Sequence, residues 1–174
     1  RDQRVKVLDE FLYPDLYDRL IRDIHTLSYR FIDETEEAKK FEADLGSDIV
    51  QQVQECYEDK VGETEGFFSA GVVRCDPKYT YELHADHPSK LVSSVVYLYP
   101  ETGNGTYFLK EDNGNQGKIM DEIVWHPNRL VTWANQGQLH MYGNKTEELR
   151  YTLNIYQKKN DEVFEVRSRS KAIR

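Results

Sequence analysis

Phe67-Phe-Ser-Ala-Gly-Val-Val-Arg74 opens the block whose reading decides the fold. Short runs rich in Val, Tyr, Phe and Thr follow it at 79–86, 91–99, 106–110, 118–125, 130–134, 140–142 and 149–157. Each has the length and composition of a strand. Pro77, Pro88, Pro100 and Pro127 punctuate the connections. Asp112-Asn113-Gly114 favours a hairpin-type turn between two of the runs. No internal repeat is visible.

Upstream the texture is helical. Val5 and Val7 suggest a short entry strand, and Pro14-Asp15 suits a first helical turn, where a missing N–H is harmless and a negative charge meets the dipole. Leu16, Leu20, Ile24 and Leu27 then recur at near-helical spacing. Residues 33–44 are charge-rich and read as a solvated, partly helical surface, and 49–57 as a helix or a connecting segment. Helices followed by about eight strands give a mainly β fold with supporting helices, a β-sandwich or jelly roll. The expected organisation is a single domain over 1–174: helical support over 1–60, a β core over 66–158 and a loosely held charged tail over 161–174.

The formal charge of −8 is a poor footprint for a polyanion, so nucleic acid is not an expected partner. No run of about 20 apolar residues exists to span a membrane. Cys56 and Cys75 have no metal-type spacing and read as free buried thiols, which fits a reducing, cytoplasmic location. The sequence does not begin with Met, so a trimmed upstream signal stays open.

The chemistry begins at His84-Ala85-Asp86. In a strand, side chains at i and i+2 share a face, so an imidazole and a carboxylate can converge on one ion. His140 can supply a third ligand from a distant strand. Two His and one carboxylate leave positions open, which suits non-haem Fe(II), whereas a structural zinc site wants a fourth protein ligand. Ten residues after His140 comes Arg150, then Thr152 on the same face; Leu149, Tyr151, Leu153 and Ile155 take the other. An Arg beside a metal is costly unless it meets an anion, and its fork matches a carboxylate. The turn at Gly143-Asn144-Lys145 would fold it back beside His140. A metal face beside a carboxylate anchor is what a chelating 2-oxo diacid requires. His87 and His126 precede prolines and read as loop histidines, with His87 a candidate for the substrate entrance. Trp125 and Trp133 read as core.

Tyr81-Glu-Leu-His84-Ala-Asp86, Val95-Val-Tyr97-Leu98, Gly103-Asn-Gly105-Thr106-Tyr-Phe108, Arg129-Leu-Val-Thr-Trp133, His140 and Arg150-Tyr-Thr152 follow one another in this order. The set resembles the prolyl 4-hydroxylase-like Fe(II)/2-oxoglutarate-dependent dioxygenases, and Val7-Leu-Asp-Glu-Phe11-Leu-Tyr-Pro14 resembles the start of their domains. The resemblance implies a double-stranded β-helix (jelly roll). It implies Fe(II) on His84, Asp86 and His140, with 2-oxoglutarate and O2 as co-substrates and ascorbate as a candidate accessory. It implies that Arg150 pairs with the distal carboxylate of 2-oxoglutarate, assisted by Thr152 and reached by Tyr97. It implies hydroxylation of prolyl residues in a peptide or protein. The alternatives are the same mechanism on a free amino acid or small metabolite, or a non-catalytic jelly-roll or cupin binding module. Halogenating relatives carry a small residue in place of Asp86, which favours hydroxylation here. Nucleic-acid demethylation ranks low, because Tyr156 stands where such enzymes carry a second Arg. Two departures stand out. A Gly-Gly pair is replaced by Gly103-Asn104-Gly105, and a tyrosine about ten residues before the first ligand falls at Arg74 or Cys75. Residues 110–118 and 76–80 are candidate lids.

Overall fold

The computed structural model describes residues 5–110 and 120–159. The 112–114 turn, residues 111–118 of one candidate lid and the 161–174 tail lie outside the described residues. The elements run β1 (Val5–Leu8), α1 (Pro14–Asp23), β2 (Arg30–Glu34), β3 (Lys39–Asp44), α2 (Ser47–Lys60), β4 (Phe67–Cys75), β5 (Thr80–His84), β6 (Lys90–Tyr99), β7 (Thr106–Leu109), β8 (Met120–Ile123), β9 (Leu130–Ala134), β10 (His140–Gly143) and β11 (Arg150–Lys158). They form two antiparallel sheets, one in the order β1-β9-β6-β11-β4-β3-β2 and one in the order β5-β10-β7-β8.

The alternation along β11 fixes the layering. Leu153 and Ile155 point outward and are fully buried against α1 and α2, with Leu16, Leu20, Ile49, Val53, Val72 and Val96 in the same cluster. Each such side chain contributes roughly 1.5–3 kcal/mol when removed from water. Arg150, Thr152, Asn154 and Tyr156 take the inner face and line a cavity between the sheets. Tyr97, Val131 and Trp133 from the large sheet meet Phe108 and Ile123 from the small one and close the sandwich on one side. The expected jelly roll with helices on one face is the observed architecture. No helix among the described residues is long and apolar enough to cross a membrane.

One expectation is overturned. Residues 33–44 are not a solvated, partly helical surface; they belong largely to the β2–β3 hairpin, which extends the large sheet through β4. The charges conceal a period of two. Phe41 packs against Phe31 and Arg74 on one face, while Lys40 and Glu42 reach the cavity on the other. Asp33 and Lys40 are buried. The segment at 49–57 is resolved as helical, within α2.

Candidate metal and carboxylate site

His84 ends β5 and His140 begins β10, and the two strands pair with these residues directly opposite. Their imidazoles therefore meet, with centroids 4.3 Å apart. Asp86 lies two residues beyond the strand end. Its Oδ1 is 3.6 Å from His84 Nε2 and 3.4 Å from His140 Nε2. The three donor atoms all lie within 4.8 Å of one another.

The ring nitrogens on the far side decide what this cluster is. His84 Nδ1 is 2.7 Å from the Glu82 carbonyl, and His140 Nδ1 is 3.1 Å from that of Gln138. A carbonyl only accepts, so each Nδ1 carries a proton, and each ring turns its Nε2, the nitrogen left to ligate a metal, inward toward Asp86. Burial pushes the His84 imidazole below its ordinary value, against the pull of Asp86. For Asp86 burial works in the opposite sense, but Lys90, His140 and His84 outweigh it and hold the carboxyl well below the usual range. Two ring nitrogens and an anion thus converge on a point that a divalent cation fits. Tyr81 stacks on His84 at 3.7 Å, and Trp133 packs edge-on against His140 at 4.8 Å, which fixes both rings.

Two supporting residues carried no signal in the sequence. Ser93 donates its hydroxyl to Asp86 Oδ2. Asn135 Nδ2 donates to the carbonyls of Asp86, His87 and Lys90 at 3.3, 2.9 and 3.0 Å, tying down the loop that carries the carboxylate. Loss of such outer support weakens metal binding by about 10–100-fold, the drop expected for Asn135→Ala in a metal titration. Unchanged affinity would mean that the loop holds its shape without this amide.

Arg150 lines the same cavity and is 3% exposed. Its guanidinium lies 4.6 Å from the Tyr142 ring and 5.1 Å from that of Trp125, and its Nε donates to the Asn104 carbonyl at 3.2 Å. Among the described residues it pairs with no carboxylate. The Gly103-Asn104-Gly105 loop therefore braces this arginine. A Cβ on Gly105 would fall 1.7 Å from the Ile123 carbonyl, so only glycine permits this approach to β8. Thr152 donates to Asn154 Oδ1 at 2.7 Å. Tyr97 is fully buried and does not line the cavity. Its hydroxyl shares a 2.8 Å hydrogen bond with Thr106, which does, and its ring stacks on Trp125 at 4.6 Å. So His84, Asp86, His140, Arg150 and Thr152 come together, with Tyr97 one hydrogen bond behind.

Arg74 turns away, its guanidinium 4.4 and 4.5 Å from the rings of Tyr29 and Phe41, and Cys75 takes the inward position. His87 turns to the Ser89 hydroxyl at 2.8 Å. Cys56 and Cys75 are free and buried. The sequence reading missed Lys40, which lines the cavity from β3.

No family model and no curated protein matches the sequence. Solved structures do. An oxidoreductase of the 2OG-Fe(II) oxygenase family from Burkholderia pseudomallei superposes with a TM-score of 0.70 at 11% identity, covering 94% of this chain and 89% of its own. The fold is that of the 2-oxoglutarate, Fe(II) oxygenases. A Trichoplax adhaerens prolyl hydroxylase, in complex with a hypoxia inducible factor oxygen degradation domain peptide fragment, gives 0.65 at 14% identity over 90% and 84% of the two chains. HygX from Streptomyces hygroscopicus, with nickel, 2-oxoglutarate and hygromycin B bound, gives 0.61 at 13% identity over 89% and 83%.

Proposed function

We propose that this chain is an Fe(II)- and 2-oxoglutarate-dependent dioxygenase that hydroxylates an unactivated C–H bond. One observation carries the reading: two imidazoles and a carboxylate share a cavity with a buried arginine that pairs with no carboxylate among the described residues. His84, Asp86 and His140 would hold the metal and leave positions for co-substrate and O2. When bound, the iron supplies the oxidising chemistry; the protein supplies binding, orientation and electrostatics. Arg150 would take the distal carboxylate of 2-oxoglutarate through its fork. Thr106 from the small sheet and Thr152 from the large one offer hydroxyls to the same cavity, and Tyr97 fixes that of Thr106. Phe108, Trp133 and Tyr81 pack the metal side with rings and exclude water from it.

The finer reading is hydroxylation of prolyl residues in a peptide or protein. Its support is the motif resemblance and a structural neighbour that holds a peptide fragment. A small-molecule substrate is the second reading, supported by a neighbour of the same fold that holds hygromycin B.

The test is an anaerobic titration of the iron-loaded protein with 2-oxoglutarate, read in the visible metal-to-ligand charge-transfer band. The band is expected, followed on exposure to air by succinate formation that prolyl peptides accelerate. Iron bound without a band would remove the co-substrate. A band with turnover that no prolyl peptide accelerates would leave the oxygenase and remove the prolyl substrate.

A further inference from the structure

Arg150 is not the only buried cation in the cavity. Lys40 is 9% exposed, and its Nζ donates to the Tyr142 hydroxyl at 3.0 Å. The ammonium also lies 4.0 Å from the centroid of the Tyr81 ring and 5.4 Å from that of Tyr79. Among the described residues it forms no ion pair within 4.0 Å, although Asp33 acts on it from behind Tyr79, whose hydroxyl donates to that carboxylate at 2.7 Å. Rings and one neutral hydroxyl are a poor replacement for water around a buried charge, and such a group ordinarily has an anion to meet. Burial pushes Lys40 down to about 8, which still leaves it mostly protonated at neutral pH.

The strand register says where that anion belongs. Lys40 pairs with Cys75, and Cys75 pairs with Arg150, so the two cations share one transverse row of the large sheet with a single strand between them. Tyr142 joins them from the other sheet: it accepts from Lys40 through its hydroxyl and carries the Arg150 guanidinium against its ring. On β10, Tyr142 lies two residues from His140 and lines the same cavity as the metal ligands. Glu42, Asn154 and Tyr156 line other rows of the cavity. Lys40 is thus placed beside the carboxylate anchor.

We propose that Lys40, held by Tyr142, is a second cationic arm of the anchor that Arg150 begins, and that the pair sets the preference for a 2-oxo acid carrying a distal carboxylate. The inference rests on the function proposed above. It is tested by calorimetry on the anaerobic, iron(II)-loaded chain with two probes, 2-oxoglutarate and 2-oxovalerate, which has the same carbon chain without the distal carboxylate. Lys40→Met removes the charge; Lys40→Gln removes it but keeps a donor for Tyr142, which guards against a packing failure. Both variants are expected to bind 2-oxoglutarate about 10–100-fold more weakly, the range for one charged hydrogen bond, and 2-oxovalerate as the parent does. Equal weakening of both probes would reduce Lys40 to a structural pin, and unchanged binding of both would remove it from the anchor. A parent protein that binds iron but not 2-oxoglutarate would instead sink the oxygenase reading itself.

Discussion

Arg150→Met is expected to weaken 2-oxoglutarate binding by roughly 2–3.5 orders of magnitude, the equivalent of about 3–5 kcal/mol for removing one side of a buried charge pair. The argument is one of leftover charge. Without the guanidinium, the distal carboxylate enters a site that has shed its water and keeps only Lys40 and hydroxyls. Methionine preserves much of the volume between Tyr142 and Trp125, so the packing loss is small. A second measurement separates this from a folding defect. Arg150 is buried and meets no carboxylate among the described residues; one Asn104 carbonyl and the Tyr142 and Trp125 rings hold its guanidinium. The variant without co-substrate should melt close to the parent. Undiminished 2-oxoglutarate affinity would show that Arg150 is not the anchor, and a large fall in melting temperature would show that the guanidinium is held by the fold and not kept for a ligand.

The readable parts of the sequence were those whose pattern is local. His84-Ala85-Asp86 puts two ligand types within three residues, and the alternation from Arg150 to Tyr156 separates a polar inner face from the apolar outer one that the helices cover. What stayed hidden depends on partners far along the chain. Lys40 looks like one charge among many until Tyr79, Tyr81 and Tyr142 surround it. The β2–β3 hairpin was concealed for the same reason: Lys40 and Glu42, which β3 turns inward, are charged, so hydropathy does not single them out as interior positions. Ser93 and Asn135 are ordinary strand and loop residues in the sequence, and only the placement of Asp86 gives them work. The direction of the Tyr97 hydroxyl is set by Thr106 and the stacked Trp125, neither of which spacing reveals.

Asp86→Asn is expected to abolish metal-dependent stabilisation while leaving the metal-free fold intact. A ligand that binds only the folded state stabilises it by about 2.7 kcal/mol at a hundred times its dissociation constant. For a chain of this size that raises the melting temperature by roughly 5–10 °C. Asparagine has the shape of aspartate and can still meet Ser93, so the loop held by Asn135 has no cause to move. The change removes the anion on which the two Nε2 atoms converge. Metal affinity should then fall further than the 10–100-fold that outer support contributes, and the shift on adding Fe(II) or Ni(II) should vanish. The metal-free variant should melt only modestly below the parent, because Lys90, His140 and His84 favour the charged carboxylate in the folded protein. An intact metal-induced shift in Asp86→Asn would mean that the ion is held elsewhere. A collapse of the metal-free variant would mean that the carboxylate serves the fold before it serves the metal.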